Sequence, residues 1–338
     1  MNRTNHQLLY PLLFKPVLKD YIWGGRNLQR ILGRELPDGN IAESWEIAAH
    51  DDGVTIVRNG PLAGMSLFEL HRKLGLSLIG RRNQWAQERD KFPLLIKLLD
   101  AHDKLSVQVH PGDEYALAHE GNELGKTEMW VILHAEPDSA IILGVRQNTN
   151  PELFRQAIHD GSLESYLHRL SIKAGDYVCV PSGTVHAILG GALIAEIQQN
   201  SNTTYRLYDW GRRMPDSSVR SLHVDQALDV IDFNQVEPSL QPPSPLPANL
   251  KDSNGIQCWL LCKNQYFTTE RIILAAGSVY RGNCNGQSLE IWGVLEGELS
   301  INKVNLRAVQ FSLLPAALGP FEIKSVSGAT CLRVYSDE

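Results

Sequence analysis

No apolar run in this 338-residue chain reaches the roughly 18 residues that a helical membrane span requires. No block of Lys and Arg stands out either. The 32 basic residues are set against 38 acidic ones, for a net charge of -6, which argues against nucleic acid or an anionic membrane as partner. The opening stretch, MNRTNHQLLYPLLFKP, has one short apolar patch broken by Pro11 and no small-residue cleavage pattern, so no signal peptide is read there. Cysteine is sparse: Cys179, Cys258, Cys262, Cys284 and Cys331 form an odd set with no CxxC pair. That argues against a cysteine metal site and fits reduced, buried thiols in a cytoplasmic protein. What is present is ordinary for a globular protein, with 43% hydrophobic and 21% charged residues, enough apolar material for real cores.

The length suggests about two domains, and one boundary is plain. Residues 236–250, VEPSLQPPSPLPANL, hold five of the 17 prolines. Such a stretch suits neither a helix nor a central strand and reads as an extended linker. It separates a part at 1–235 from a part at 251–338. The first part mixes helices and strands. Ser66-Leu67-Phe68-Glu69 is a capping box, Asn150-Pro151 opens a helix that Gly161 stops, and 222–231 is a third helix. Strand-like runs lie at 105–110, 129–133, 140–143, 177–180 and 192–198. The second part reads as short strands at 257–261, 267–274, 289–295, 298–301, 310–314 and 329–335, a pattern of sandwiches and barrels.

Three segments of the first part carry polar groups where apolar ones are expected. In Ser106-Val107-Gln108-Val109-His110, alternation puts Ser106, Gln108 and His110 on one strand face and the valines on the other. Buried Gln and His need partners, either each other or a metal. Glu128 stands at the entry to the apolar run 129–133, two residues after Lys126, so it reads as half of an ion pair or as a ligand. His134 shares its parity but lies at the far end and reads as structural. Lys97, inside PLLIKLL, must either reach an anion or be solvated on an edge.

A fourth segment, Gly175-Asp-Tyr-Val-Cys-Val-Pro181-Ser-Gly183-Thr-Val-His186, has the spacing G-x5-P-x-G-x2-H and resembles the second signature of the cupin superfamily. Gly190 stands where that signature often has Asn, and Gln108-x-His110 stands where the first signature usually has His-x-His. This variation, with Lys126-x-Glu128-Met-Trp, Pro181-x-Gly183-x-x-His186 and Asn200-Ser-Asn…Arg206, resembles the type I mannose-6-phosphate isomerases in their short bacterial form. Trp23-Gly-Gly, Ala42-Glu-Ser-Trp-Glu46 and Pro93-Leu-Leu-Ile-Lys97 agree. The resemblance is dense over residues 14–213.

The resemblance implies a mainly β protein of two cupin (jelly-roll) barrels, with helices added to the N-terminal part. It also implies one zinc ion per chain, on Gln108, His110, Glu128 and His186. The chemistry of those donors suits Zn²⁺; the set could also hold Fe(II) as in oxygenase cupins, against which Gln108 and the basic phosphate-side residues argue. The implied reaction interconverts mannose 6-phosphate and fructose 6-phosphate through a cis-enediol. Glu196 would act as base, Lys126 and Arg206 would assist, and Lys97, Ser106 and Arg206 would hold the phosphate. A turn at Gly190-Gly191 is expected to fold 192–198 back beside the His186 strand, bringing Glu196 to the pocket. The apolar neighbours of Glu196 favour a raised pKa; the alternative for it is an ion pair with Arg206. Arg212 and Arg213 add positive charge. His223 is the last histidine, so the C-terminal part is expected to hold no metal. The alternatives are a sugar-phosphate sensor that kept the pocket and an iron cupin oxygenase. The oligomeric state is left open.

Overall fold

The computed structural model describes residues 9–214, 216–246 and 255–337. The end of the proline-rich stretch, 247–250, and the first residues of the expected C-terminal part lie outside these. The chain forms two compact units: Met1–Val17, Trp45–Leu95 and Pro242–Glu338 make one, and Leu18–Ser44 with Ile96–Gln241 the other. The molecule is mainly β, as expected, with its longer helices in the N-terminal two thirds.

In the second of these units a five-stranded sheet runs Leu167–Ser171, Ala140–Val145, His186–Ile188, Val107–Val109, Tyr205–Tyr208. A six-stranded sheet runs Tyr177–Val180, Glu128–Ala135, Ala192–Gln199, Leu94–Ala101, Glu43–Ile47, Val17–Lys19. One apolar cluster joins Ile141, Leu143 and Ile188 of the former to Leu99, Trp130, Ile132, Val178 and Ile194 of the latter, so the two sheets share a core. Alternation sends Val107, Val109, Ile142, Ala187, Tyr205 and Leu207 to the other face of the five-stranded sheet, where Phe154, Ala157 and Ala227 cover them.

Local sequence explains the helices. Asn150 caps Pro151–Asp160 by accepting from Leu153 N, and Gly161 ends it with φ 79°, a left-handed value that glycine tolerates. The Ser66 box is present at the head of Leu67–Leu74. The third expected helix runs over Val224–Val230.

The hairpin expected at Gly190-Gly191 does not form. The His186–Ile188 strand has neighbours on both edges, Ala140–Val145 and Val107–Val109, so no edge is free for the next strand. The chain crosses to the other sheet instead. There Ala192–Gln199 lies between Glu128–Ala135 and Leu94–Ala101.

In the other unit the described C-terminal residues form a nine-stranded antiparallel sheet around Trp292, Val294, Ile272, Phe321 and Cys331. The runs expected at 289–295 and 298–301 are one strand, Glu290–Ile301, with a register shift between Val294 and Glu296. Strands Val279–Cys284, Val304–Arg307 and Gly319–Lys324 were not legible in the sequence. Their Gly, Asn and Pro content reads as turn, and Pro320 is tolerated where the chain pairs along Asn283. Within the proline-rich stretch, Ser244–Pro245 is extended and pairs as an edge strand with Trp259 and Leu260.

Candidate active site

The polar residues singled out above converge on the space between the two sheets of the Ile96–Gln241 unit. From the five-stranded sheet come Gln108, with His110 just past its strand end, His186 and Arg206. From the six-stranded sheet come Lys97, Glu128 and Glu196, with Lys126 just before Glu128. His186 is register partner to Gln108, and Gln198 to Glu128. The Pro-Ser-Gly turn locks the geometry: Gly183, at φ 84°, donates its N–H to His110 O at 2.8 Å.

At the centre, ligand atoms of His110, Glu128 and His186 all lie within 4.8 Å of one another, and all three residues are buried. His110 Nε2 is 3.5 Å from Glu128 Oε2, and His186 Nε2 is 3.5 Å from Glu128 Oε1. His110 Nδ1 bonds Thr203 O at 2.8 Å and His186 Nδ1 bonds Thr184 O at 2.9 Å. Carbonyl oxygens only accept, so both Nδ1 atoms carry the hydrogen and both Nε2 lone pairs face inward, as in histidines whose other ring nitrogen is held by a carbonyl while Nε2 binds a metal. Burial holds both imidazoles neutral: His110 is pushed well below its usual range, and His186 down to about 4. Lys126 Nζ lies 2.6 Å from Glu128 Oε2, and Oε1 is left to the His186 side of the trio. Two inward imidazole nitrogens and a buried carboxylate within 4.8 Å of one another are a donor set that fits a divalent cation. Gln108 lies against the trio, its Nε2 3.2 Å from His186 Nε2 and its Oε1 accepting from Ser106 Oγ at 3.2 Å.

A cleft of about 280 Å³ opens beside this trio. Lys97, Ser106, Gln108, Lys126, Glu196 and Arg206 all line it. Lys97 is buried, not solvated on an edge. Its ammonium lies 3.7 Å from Glu43 Oε2 and 3.8 Å from Glu196 Oε2. Burial opposes its charge, but the carboxylates of Glu43, Glu196 and Glu128 outweigh that and raise its pKa. Glu196 accepts from Trp130 Nε1 at 2.9 Å, and its ion-pair partner is Lys97, not Arg206. Burial and the Glu128 charge raise its pKa, against Lys126, Lys97 and the indole bond.

Arg206 is half-buried, donating Nε to Ser106 Oγ at 3.3 Å and Nη1 to Ser221 O at 2.8 Å. Among the described residues no carboxylate lies within ion-pair distance of it. Burial, and then the neighbouring Arg220, make its charge harder to hold. Arg220 lines the cleft and shares Asp209 (3.5 Å) with Arg212. Arg213 is exposed and bonds Ser217 O.

A profile of the type I phosphomannose isomerase catalytic domain matches residues 12–124. The probable mannose-6-phosphate isomerase GmuF of Bacillus subtilis is 35% identical over 94% of this chain and 97% of its own length. The chain belongs to the type I phosphomannose isomerase family. The mannose-6-phosphate isomerase ManA of Bacillus subtilis is 47% identical over 67% of this chain and 69% of its own. The crystal structure of mannose 6-phosphate isomerase from Bacillus subtilis superposes with a TM-score of 0.83, at 34% identity, over 97% of this chain and 99% of that one. The expected family and the expectation of an isomerase are borne out.

Tyr21, Thr204 and Arg220 also line the cleft and were not singled out in the sequence, and Trp23, Glu43 and Asn202 line it from motifs quoted above without a site role. Glu43 had a signal, a carboxylate inside the strand ESWEI. Arg220 had none, because a basic residue in a polar loop reads as surface.

Proposed function

We propose that the chain interconverts mannose 6-phosphate and fructose 6-phosphate through a cis-enediol, with one zinc ion held by His110, Glu128, His186 and the amide of Gln108. The observation that carries this reading is a buried donor set of two inward imidazoles and the Glu128 carboxylate, set beside a cleft in which Arg206 has no carboxylate partner among the described residues. The printed names of the relatives support the substrate. The donor set has no thiolate, and imidazole with carboxylate suits Zn²⁺. When bound, the metal supplies Lewis-acid stabilisation of the oxygens that gain charge as the carbon-bound proton leaves.

The chain's own residues do the rest. Glu196, buried and raised in pKa, takes the proton from one of C1 and C2 and returns it to the other. Lys126, 2.9 Å from His110 Nε2 and beside Glu128, handles the oxygen-bound proton. Ser106, Arg206 and Arg220 hold the phosphate dianion and so fix where C1 and C2 lie. Lys97, first read as a phosphate contact, is assigned to balance the Glu43 and Glu196 charges. The two-barrel cupin architecture, the catalytic part at 1–235, the linker at 236–250 and a metal-free β part at 251–338 belong to the same reading, as does a cytoplasmic location for a protein whose five cysteines are all free.

A coupled isomerase assay on mannose 6-phosphate, with metal removed and restored, tests this. The expected result is about one zinc per chain, loss of activity on chelation and recovery with Zn²⁺. Undiminished turnover by metal-free enzyme sinks the zinc, and no turnover by metal-loaded enzyme sinks the reaction.

A further inference from the structure

Arg206 sits on Tyr205–Tyr208, the strand that ends the five-stranded sheet. One edge of that strand pairs with Val107–Val109, and among the described residues no strand lies beside the other. Peptide groups on such an edge must bond water or something supplied for the purpose. At Arg206 a single residue supplies both partners. His223 N donates to Arg206 O at 2.8 Å, and Arg206 N donates to His223 Nδ1 at 3.2 Å. Two residues earlier, Ser221 O accepts from the guanidinium. Residues 221–223 thus grip Arg206 at its N–H, its C=O and its side chain.

We infer that His223 is a positioning residue for Arg206, its neutral ring holding the Arg206 peptide at the sheet edge and thereby fixing the guanidinium in the cleft. The inference rests on the functional reading given above for Arg206. A backbone N–H only donates, so Nδ1 must be bare and the ring must be the Nε2–H tautomer. Protonation at Nδ1 removes the acceptor, sets two N–H groups against each other and adds a second cation beside Arg206.

The charged groups that face His223 from other elements are Arg206 itself and Glu120, just past the helix Asp113–His119. The Tyr205 ring lies 6.3 Å away, and its hydroxyl donates to Glu120 Oε1 at 2.8 Å. On the helix that His223 leads into, Asp225 is engaged by Arg155 and Asp229 by Tyr115. Burial first, and then the Arg206 charge, lower the His223 pKa from its ordinary 6.5, with Glu120 working the other way. The ring is therefore neutral at neutral pH, and the grip is lost as pH falls through the lowered value.

His223→Ala and His223→Asn, each in the full metal-loaded chain, separate this role from mere packing. The Asn side chain carries an acceptor oxygen on the same γ carbon but does not titrate. In the Ala variant, amide hydrogen exchange over 205–208 should rise about tenfold and kcat/KM for mannose 6-phosphate should fall about tenfold, the scale of one lost hydrogen bond plus a displaced side chain. The Asn variant should recover most of both, and the acid limb of its kcat/KM profile should be one proton shallower than that of the wild type.

Wild-type exchange and kinetics in the Ala variant, no rescue by Asn, or an unchanged acid limb in the Asn variant would overturn the inference. Exchange needs no turnover, so an inactive wild type counts against the functional reading alone. If the Ala variant does not fold, the ring ¹⁵N shifts of wild-type His223 decide: an Nε2–H tautomer supports the inference and an Nδ1–H tautomer overturns it.

Discussion

Lys97 is an ammonium on a strand whose other residues are mostly leucine and isoleucine, and what keeps it charged is the pair of carboxylates it stands between, Glu43 and Glu196. Removing one partner of a buried ion cluster leaves the others uncompensated. Lys97→Met should therefore cost about 3–5 kcal/mol of stability, read from denaturant unfolding, and should push the Glu196 pKa further up. A loss below about 1 kcal/mol would place the cluster in the range of solvated pairs. Glu196 itself gives a signed pH dependence. A base must be ionised, and its pKa already lies above the ordinary 4.5, so kcat should fall as pH drops through that raised value. Glu196→Gln keeps the shape and the Trp130 contact but removes the basicity. It should retain metal and substrate binding and lose at least about 10²-fold in kcat, with solvent tritium exchange into substrate falling in step. Near wild-type exchange in that variant would move the base to Lys126.

Strand period made much of the site legible at the level of elements. Gln108 and His110 face inward and Val107 and Val109 outward because side chains alternate, and a run of five residues suffices to see it. The capped helices were equally plain, because Ser66, Asn150, Pro151 and Gly161 act on their immediate neighbours. The hairpin after His186 was misread for the converse reason. Which strand takes which edge depends on residues some 40 to 80 positions away, and Gly190-Gly191 suits a crossing between sheets as well as a hairpin. Arg220 was missed on the same grounds, since it reaches the cleft by tertiary placement alone, whereas Glu43 carried a signal as a carboxylate inside an otherwise buried strand. The tight Pro-Ser-Gly turn belongs to this scale too. Gly183 has φ 84°, and a Cβ on it would stand 3.0 Å from Val230 O. Gly183→Ala should cost about 1–3 kcal/mol of strain. Because Gly183 N bonds His110 O, the variant should also hold metal more weakly, seen as a raised dissociation constant in chelator competition. Unchanged affinity would show that the turn does not set the ligand spacing.

The molecule as a whole carries a net charge of -6, which on average repels a dianionic substrate, yet the cleft gathers charge of the other sign. Arg206 has no carboxylate at ion-pair distance among the described residues, and Arg220 shares Asp209 with Arg212, which also lies 3.8 Å from Asp103. With Lys97 balanced by Glu43 and Glu196, the arginines leave an excess of positive charge at the cleft, which focuses its field on an anionic ligand and raises the rate of capture. That field is screened over roughly 8 Å at physiological ionic strength. For mannose 6-phosphate, kcat/KM should therefore fall as salt is raised from about 0.01 to 0.15 M, over which the screening length shrinks from roughly 30 to 8 Å. Unphosphorylated mannose feels no such field and gives up the binding energy that orients C1 and C2. It should be a poor substrate, and its residual turnover should be insensitive to salt. Arg220→Met should flatten the salt dependence for the phosphorylated sugar while leaving that for mannose as it was. Equal turnover of the two sugars, or equal salt slopes, would mean that the arginines serve the fold of the 209–223 loop and not the substrate.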